Sequence, residues 1–157
     1  LNTTRISGNI AAVNKFYDVP FNNTIYGNDF PVLRYADVLL MLAEALNEAG
    51  YSAGGEALTL LNRVRTRAGA TPYTAADLPD QARFREAVYQ ERRLELPLEL
   101  HRWYDLVRTG TAPAAIRRLG GNYAANFQDY RQLYPIPNSE IVKINNPAAF
   151  PQNPGYQ

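Results

Sequence analysis

A mainly α-helical fold with long ordered loops and a Pro-rich C-terminal strap is what this 157-residue sequence predicts. Three observations carry that expectation. Two Gly-bounded segments, about Leu33 to Ala49 and about Glu56 to Arg67, place apolar residues at helical spacing. A third, about Gln81 to Leu96, does the same up to Pro97, which removes a backbone donor and clashes with the preceding turn. Beyond Leu119 turn residues dominate, and Pro135, Pro137, Pro147, Pro151 and Pro154 preset extended backbone.

The length suggests one domain, and an apolar share of 46% is enough for a real core. We divide it into an irregular arm (1–32), a helical core (33–110), and a loop with the C-terminal strap (111–157). Sixteen basic against fifteen acidic residues give a net charge of +1, so no electrostatic footprint points to nucleic acid. The basic residues are almost all Arg, with only Lys15 and Lys143 besides, which fits planar pairing with carboxylates. No cysteine is present, which excludes disulfides and cysteine-based metal sites. No apolar run approaches the roughly 18 residues of a membrane helix, and no signal peptide opens the chain. Because Leu1 is not a start residue, the chain reads as part of something longer.

The arm has Asn, Gly, Thr and scattered aromatics without sustained periodicity, with room for one short strand. In the first helix one stripe is Leu33, Ala36, Leu40, Ala43, and a second is Tyr35, Val38, Leu42, Ala45, Ala49. Two stripes predict a helix covered on most sides, with Gly50 as its stop. An apolar patch is expected on it wherever it meets helices outside this chain. The second helix follows the turn Ser52-Ala53-Gly54-Gly55, buries Ala57, Leu61, Val64 and Ala68, and ends at Gly69. Its Arg63, Arg65 and Arg67 lie where the helix dipole favours cations. Thr74-x-x-Asp77 has the form of a capping box, but Pro79 makes Asp80 the better cap for the third helix. That helix should point Phe84, Ala87, Val88, Glu91 and Leu94 inward. A short helix, roughly Glu99 to Arg108, should run to Gly110, and Tyr134, Ile136, Ile141 and Phe150 should anchor the strap.

The first two helices resemble a tetratricopeptide-type hairpin, with Leu39, Leu42, Ala43, Leu46 and then Ala57, Leu61, Val64 at that repeat's spacing. Only one copy is present, and its turn is two residues longer than the consensus; such repeats need about three copies to bury a continuous core.

Residues 84–110 carry Glu91, Glu95, Glu99 and Asp105 with Arg92, Arg93, Arg102 and Arg108 among apolar residues. Burying so many ions is costly unless they are paired, so the segment implies charges held in fixed geometry beside a core. Glu91 and Glu95 share one helix face, whereas glycosidase carboxylates flank a cleft roughly 5–10 Å wide, and each Glu has an Arg within a turn that should hold it ionised and occupied. We therefore expect a structural network of Arg65, Glu91, Arg92, Glu95, Arg102 and Asp105. It would fix the third helix and the Trp103 turn against Asn62 and Arg65. His101 is the only histidine, and no metal-ligand spacing, nucleophile elbow or phosphate loop accompanies it. No catalytic residue, metal or cofactor is expected.

Aromatic residues among amides are the better binding signal. Tyr17 and Tyr26 in the arm, and Asn122, Tyr123 and Phe127 in the late loop, combine flat rings with hydroxyl-bonding side chains, and loops commonly carry binding residues. They are the candidate ligand contacts, against the plainer reading that such rings anchor irregular segments.

Phe30-Pro-Val-Leu-Arg34-Tyr-Ala-Asp37 with Ala43-Glu44-Ala-Leu-Asn47-Glu-Ala-Gly50 resembles the "PxLRYADVLLxxAEALNE" segment of the SusD/RagB family. So do Leu61-Asn62-Arg-Val-Arg65-Thr-Arg67-Ala-Gly69, Glu91-Arg92-Arg-Leu-Glu95-Leu, and His101-Arg102-Trp103-Tyr104-Asp105-Leu-Val-Arg108. Tyr134-Pro-Ile-Pro137-Asn-Ser-Glu140-Ile and Gln152-Asn153-Pro154-Gly155-Tyr156 complete the match, which covers the C-terminal part of the family's usual length. Family members end near QNPGY, which implies that Gln157 is at or close to a true C-terminus. The resemblance implies an outer-membrane, surface-exposed lipoprotein that binds an oligosaccharide or other nutrient and works with a SusC-type TonB-dependent transporter. The lipid anchor and further repeats would lie outside this chain. The competing expectation is a repeat-type protein-interaction scaffold without a small ligand. One departure from the family pattern is Leu100, where a Gly is usual before the His/Gln-Arg-Trp.

Overall fold

The computed structural model describes residues 5–7, 10–12, 15–16 and 29–156. The fold is mainly α, as expected, and the chain divides into two compact units, 1–102 and 103–157.

In the first unit, two strands where one was expected, β1 (Arg5–Ser7) and β2 (Ile10–Ala12), pair antiparallel with Ile6 opposite Ala11. Helix α1 (Tyr35–Gly50) starts two residues later than the apolar stripe suggests, because Leu33 precedes an extended Arg34 that serves as N-cap. Ala36, Leu39, Leu40, Ala43 and Asn47 are buried. The second stripe is not covered in this structure: Tyr35, Val38, Leu42, Ala45 and Ala49 are exposed, with Met41 beside them, so α1 presents the expected apolar patch. Gly50 is not the stop, since it stays helical and needs no left-handed conformation. Tyr51 ends the helix by turning extended, while its ring packs on Phe84 at 5.2 Å and its hydroxyl donates to the Leu78 carbonyl.

Helix α2 (Glu56–Arg67) has the expected bounds and buries Ala57, Leu58, Leu60, Leu61 and Val64. Gly69, at φ +72°, closes it by letting Ala70 N–H reach back to the Arg65 carbonyl at 2.9 Å. Asn62 clamps the following loop, exchanging both amide groups with the Tyr73 backbone at 2.8 Å each; it does not reach the third helix as expected. Thr74 and Asp77 form a reciprocal box around a turn, with no helix behind it. Asp80 caps α3 (Gln81–Glu95), accepting from Arg83 N–H at 2.8 Å.

On α3 the inward face is Phe84, Ala87, Val88, Glu91, Arg92 and Glu95, and Leu94 lies outside it. At about 100° per residue, Leu94 and Arg92 flank the Phe84–Glu91–Glu95 line on opposite sides. Asp37 of α1 decides which side is buried. α1 packs against both α2 and α3, and Phe84, Leu40, Leu61, Val64 and Val88 form the fully buried centre. Burying each such side chain contributes roughly 1.5–3 kcal/mol.

Helix α4 (His101–Arg108), whose residues from Trp103 on belong to the second unit, begins two residues later than expected, after Leu98 and Leu100 take positive φ. Gly110 ends it at φ +69°. The sequence suggests turns and a strap from there on. The structure adds α5 (Ala112–Leu119), α6 (Gly121–Asn126), a 3₁₀ turn (Asp129–Gln132) and α7 (Asn138–Ile144). Each is about two turns or less, too short to show a repeating apolar stripe, which hides them from a periodicity argument. The tail motifs clip together side chain to backbone. The Gln152 amide bonds both the N–H and the carbonyl of Ile136, at 2.7 and 2.9 Å, in place of a neighbouring strand. Asn153 Nδ2 donates to the Tyr134 carbonyl and the Tyr156 hydroxyl to that of Leu133. Ile136, Ile141 and Phe150 are half-buried, but Tyr134 is 68% exposed and is no anchor.

Candidate functional site

Three buried carboxylates near the end of α3 are each held by a cation from another element. Glu91 accepts from Arg65 Nη1 of α2 at 2.7 Å. Glu95 meets Arg34 Nη2 at 2.9 Å and also Arg67 of α2. Glu99 takes the Arg34 Nε at 2.9 Å and pairs with Lys15 of the arm. Arg92 leaves this row and pairs with Asp37 of α1 at 2.6 Å. Of the residues expected to form a network, the first unit therefore joins Arg65 to Glu91. It gives Arg92 and Glu95 partners that were not foreseen: Asp37, Arg34 and Arg67.

Neighbouring Arg and Glu on one helix point about 100° apart, so Arg92 cannot serve Glu91. The expectation that arginines within a turn would hold the glutamates is corrected accordingly. Asp105 lies in the second unit, buried on α4, and accepts from its own helix's Arg108 at 3.0 Å. Arg102 is half-buried on the same helix.

The cations do more than neutralise. Arg34 Nη2 and Lys15 Nζ also donate to the Glu95 carbonyl, at 3.0 and 2.8 Å, and Lys15 reaches that of Pro97 at 3.1 Å. They thereby satisfy backbone acceptors that the end of α3 leaves open. Burial alone would raise the Glu99 carboxyl, but hydrogen bonds from Arg34 and Lys15 outweigh it and hold it below its ordinary value. The Glu99 hydrogen bond in turn raises Arg34. Glu99 is thereby held ionised and occupied, a poor state for general acid–base work.

The segment that delivers Glu99 is strained. Leu98 and Leu100 both sit in the left-handed region, at φ +66° and +64°, with 57% and 74% of their surfaces exposed. Leu100 thus keeps a conformation that a Gly would take without strain.

Of the candidate ligand contacts, Tyr17 and Tyr26 lie outside the described residues. Asn122 and Tyr123 stand exposed on the one turn of α6, Tyr123 with 73% of its surface free, and Phe127 follows half-buried. Asn126, four residues after Asn122, completes an exposed face with one ring and two amides. Among the described residues no group of acids and His101 has metal-binding geometry, and no helix is long and apolar enough to cross a membrane.

Comparison with known proteins places this architecture. The profile of the SusD family matches residues 10–156. A SusD-like protein P2 of Formosa agariphila is 38% identical over 131 residues, covering 79% of this chain and 25% of the relative. SusD-like protein P25 of the same organism is 42% identical over 115 residues, covering 70% and 21%. The crystal structure of a SusD homolog from Bacteroides thetaiotaomicron superposes with a TM-score of 0.63 at 39% identity, covering 79% of this chain and 26% of that one. This chain therefore spans about a quarter of its relatives' length. With the motif order, the helical core and a family match across nearly all its residues, the chain belongs to the SusD family.

Proposed function

We propose that this chain is part of a non-enzymatic, surface-exposed protein that captures a glycan or other nutrient for a SusC-type TonB-dependent transporter. The observation that carries the reading is the family match over residues 10–156. Its attachment to the outer membrane would be through a lipid anchor outside this chain. The carboxylates of residues 91–99 are committed to ion pairs, which supports binding over hydrolysis. Within the chain, the Asn122–Tyr123–Asn126 face of α6 is the candidate contact surface, with Phe127 beside it. A sugar's C–H face would lie on the Tyr123 ring while the amides bond its hydroxyls.

An oligosaccharide array probed with the purified protein tests this, followed by affinity electrophoresis of Tyr123→Ala and Asn122→Ala. Binding to a defined glycan that weakens in the variants supports the reading. Turnover of the bound glycan, lost on Glu91→Gln or Glu95→Gln, would overturn it.

The second reading is a protein-interaction scaffold, and one observation favours it: the exposed stripe Tyr35, Val38, Met41, Leu42 on α1. Tight transporter association with no glycan binding would decide for it.

A further inference from the structure

Between the start of α1 and the last turns of α2 lies an open groove of about 430 Å³, within the range of small-ligand sites. Its floor is apolar, formed by the buried Ala36, Leu39 and Val64. Its rim is cationic and aromatic, formed by Arg34, Arg63, Arg67 and Tyr35. Arg34 and Arg67 both hold Glu95, and Arg34 also holds Glu99 with Lys15. Arg63 makes no ion pair among the described residues. Its guanidinium stands 5.7 Å over the Tyr35 ring, which keeps 64% of its surface exposed. Four cations (Lys15, Arg34, Arg63, Arg67) thus face two carboxylates (Glu95, Glu99), and the excess charge lies at the groove. The Arg67 side chain, 56% exposed, keeps guanidinium surface available beyond its bond to Glu95.

We propose that this groove is a subsite for a carboxylate-bearing sugar, a hexuronate unit of an acidic oligosaccharide. The choice of a sugar rests on the glycan-capture reading; the charge and the place rest on the groove itself. The Arg63 fork pairs with the sugar carboxylate in the planar, two-point geometry that suits guanidinium. Arg67 adds a second donor from the next turn of α2, and the open part of the Tyr35 ring receives the pyranose C–H face. The residues on α1 run from 34 to 39, a rise of about 8 Å, room for one or two pyranose rings. The exposed Tyr35 ring beside Arg63 favours a sugar over an acidic peptide, because its apolar face suits pyranose C–H groups and offers nothing to a second carboxylate.

Calorimetric titration of the 157-residue chain with tetragalacturonate tests the site, with its methyl ester as the uncharged control and hexaglutamate as the peptide probe. Binding should weaken at least about tenfold in Arg63→Ala and for the methyl ester, the loss of one charge-assisted pair. Tyr35→Ala should weaken it by a smaller factor and Arg63→Lys should retain part of it. Both positions are exposed, so far-UV circular dichroism should be unchanged. Equal binding of the methyl ester, indifference to Arg63→Ala, or equal binding of hexaglutamate would each overturn the proposal. If tetragalacturonate fails while neutral oligosaccharides bind, the groove is wrong and glycan capture stands. If no saccharide binds, both fall.

Discussion

Arg92 of α3 and Asp37 of α1 form an ion pair at 2.6 Å with only 5% and 4% of their side chains exposed. The pair links two helices through charges almost wholly withdrawn from water, and each ion offsets the cost of burying the other.

Removing either partner breaks a buried ion pair while the other charge stays buried, so Arg92→Ala or Asp37→Ala should each cost about 3–5 kcal/mol. The double change Asp37→Leu with Arg92→Met should recover most of that loss, because well-packed apolar residues commonly replace a buried pair at little cost. Urea unfolding of the two single variants and the double variant reads this as a shift in midpoint. Equal loss in the single and double variants would show that the pair is not the relevant unit.

Glu99 gives the fold a defined acid sensitivity. Its folded-state carboxyl lies below the ordinary 4.5, so the unfolded chain takes up its proton first as pH falls. The stabilisation is fully present above about 4.5 and fades below it, toward the folded-state value. Glu99→Gln should lower stability at pH 7 by about 2 kcal/mol, since hydrogen bonds to charged groups are lost. It should also flatten the decline that sets in as pH falls below about 4.5. Chemical denaturation at a series of pH values measures both; an unchanged slope in the variant would assign the decline to other carboxylates.

The strain at Leu100 is removable. Leu100 is 74% exposed, so Leu100→Gly sacrifices little burial while relieving a left-handed conformation that costs about 1–2 kcal/mol. After the glycine's own entropic cost, a gain of about 0.5–1 kcal/mol should remain, a rise of roughly 1–4 °C in melting temperature. Leu100→Ala, which keeps a Cβ, should show no such gain. Differential scanning calorimetry distinguishes them.

Gly155 supports the tail clip. At φ +88°, a Cβ there would fall within 2.6 Å of three Tyr130 ring atoms, and Tyr130 packs edge-on against Tyr156 at 4.9 Å. Gly155→Ala should therefore release residues 152–156 from residues 133–136. Faster amide exchange at Ile136 and earlier proteolysis of the tail are the readouts. Protection equal to the parent would mean that the ring simply swings aside.

What the sequence determined alone was local. Asp80 as a cap, Gly69 and Gly110 as left-handed stops, the bounds of α2, and the family motifs all depend on residues within a turn of each other. The ring and amides at Asn122 and Tyr123 were also legible, because α6 is only a turn long and keeps sequence neighbours together. The tertiary structure decided who pairs with whom. Arg34 reaches Glu99 across 65 positions and Arg92 reaches Asp37 across 55, while the arginines beside the glutamates in sequence point elsewhere around the helix. The charged segment announced buried ions, since apolar neighbours exclude water. Only the packing of α1, α2 and α3 could say which cations stand within 3 Å of them.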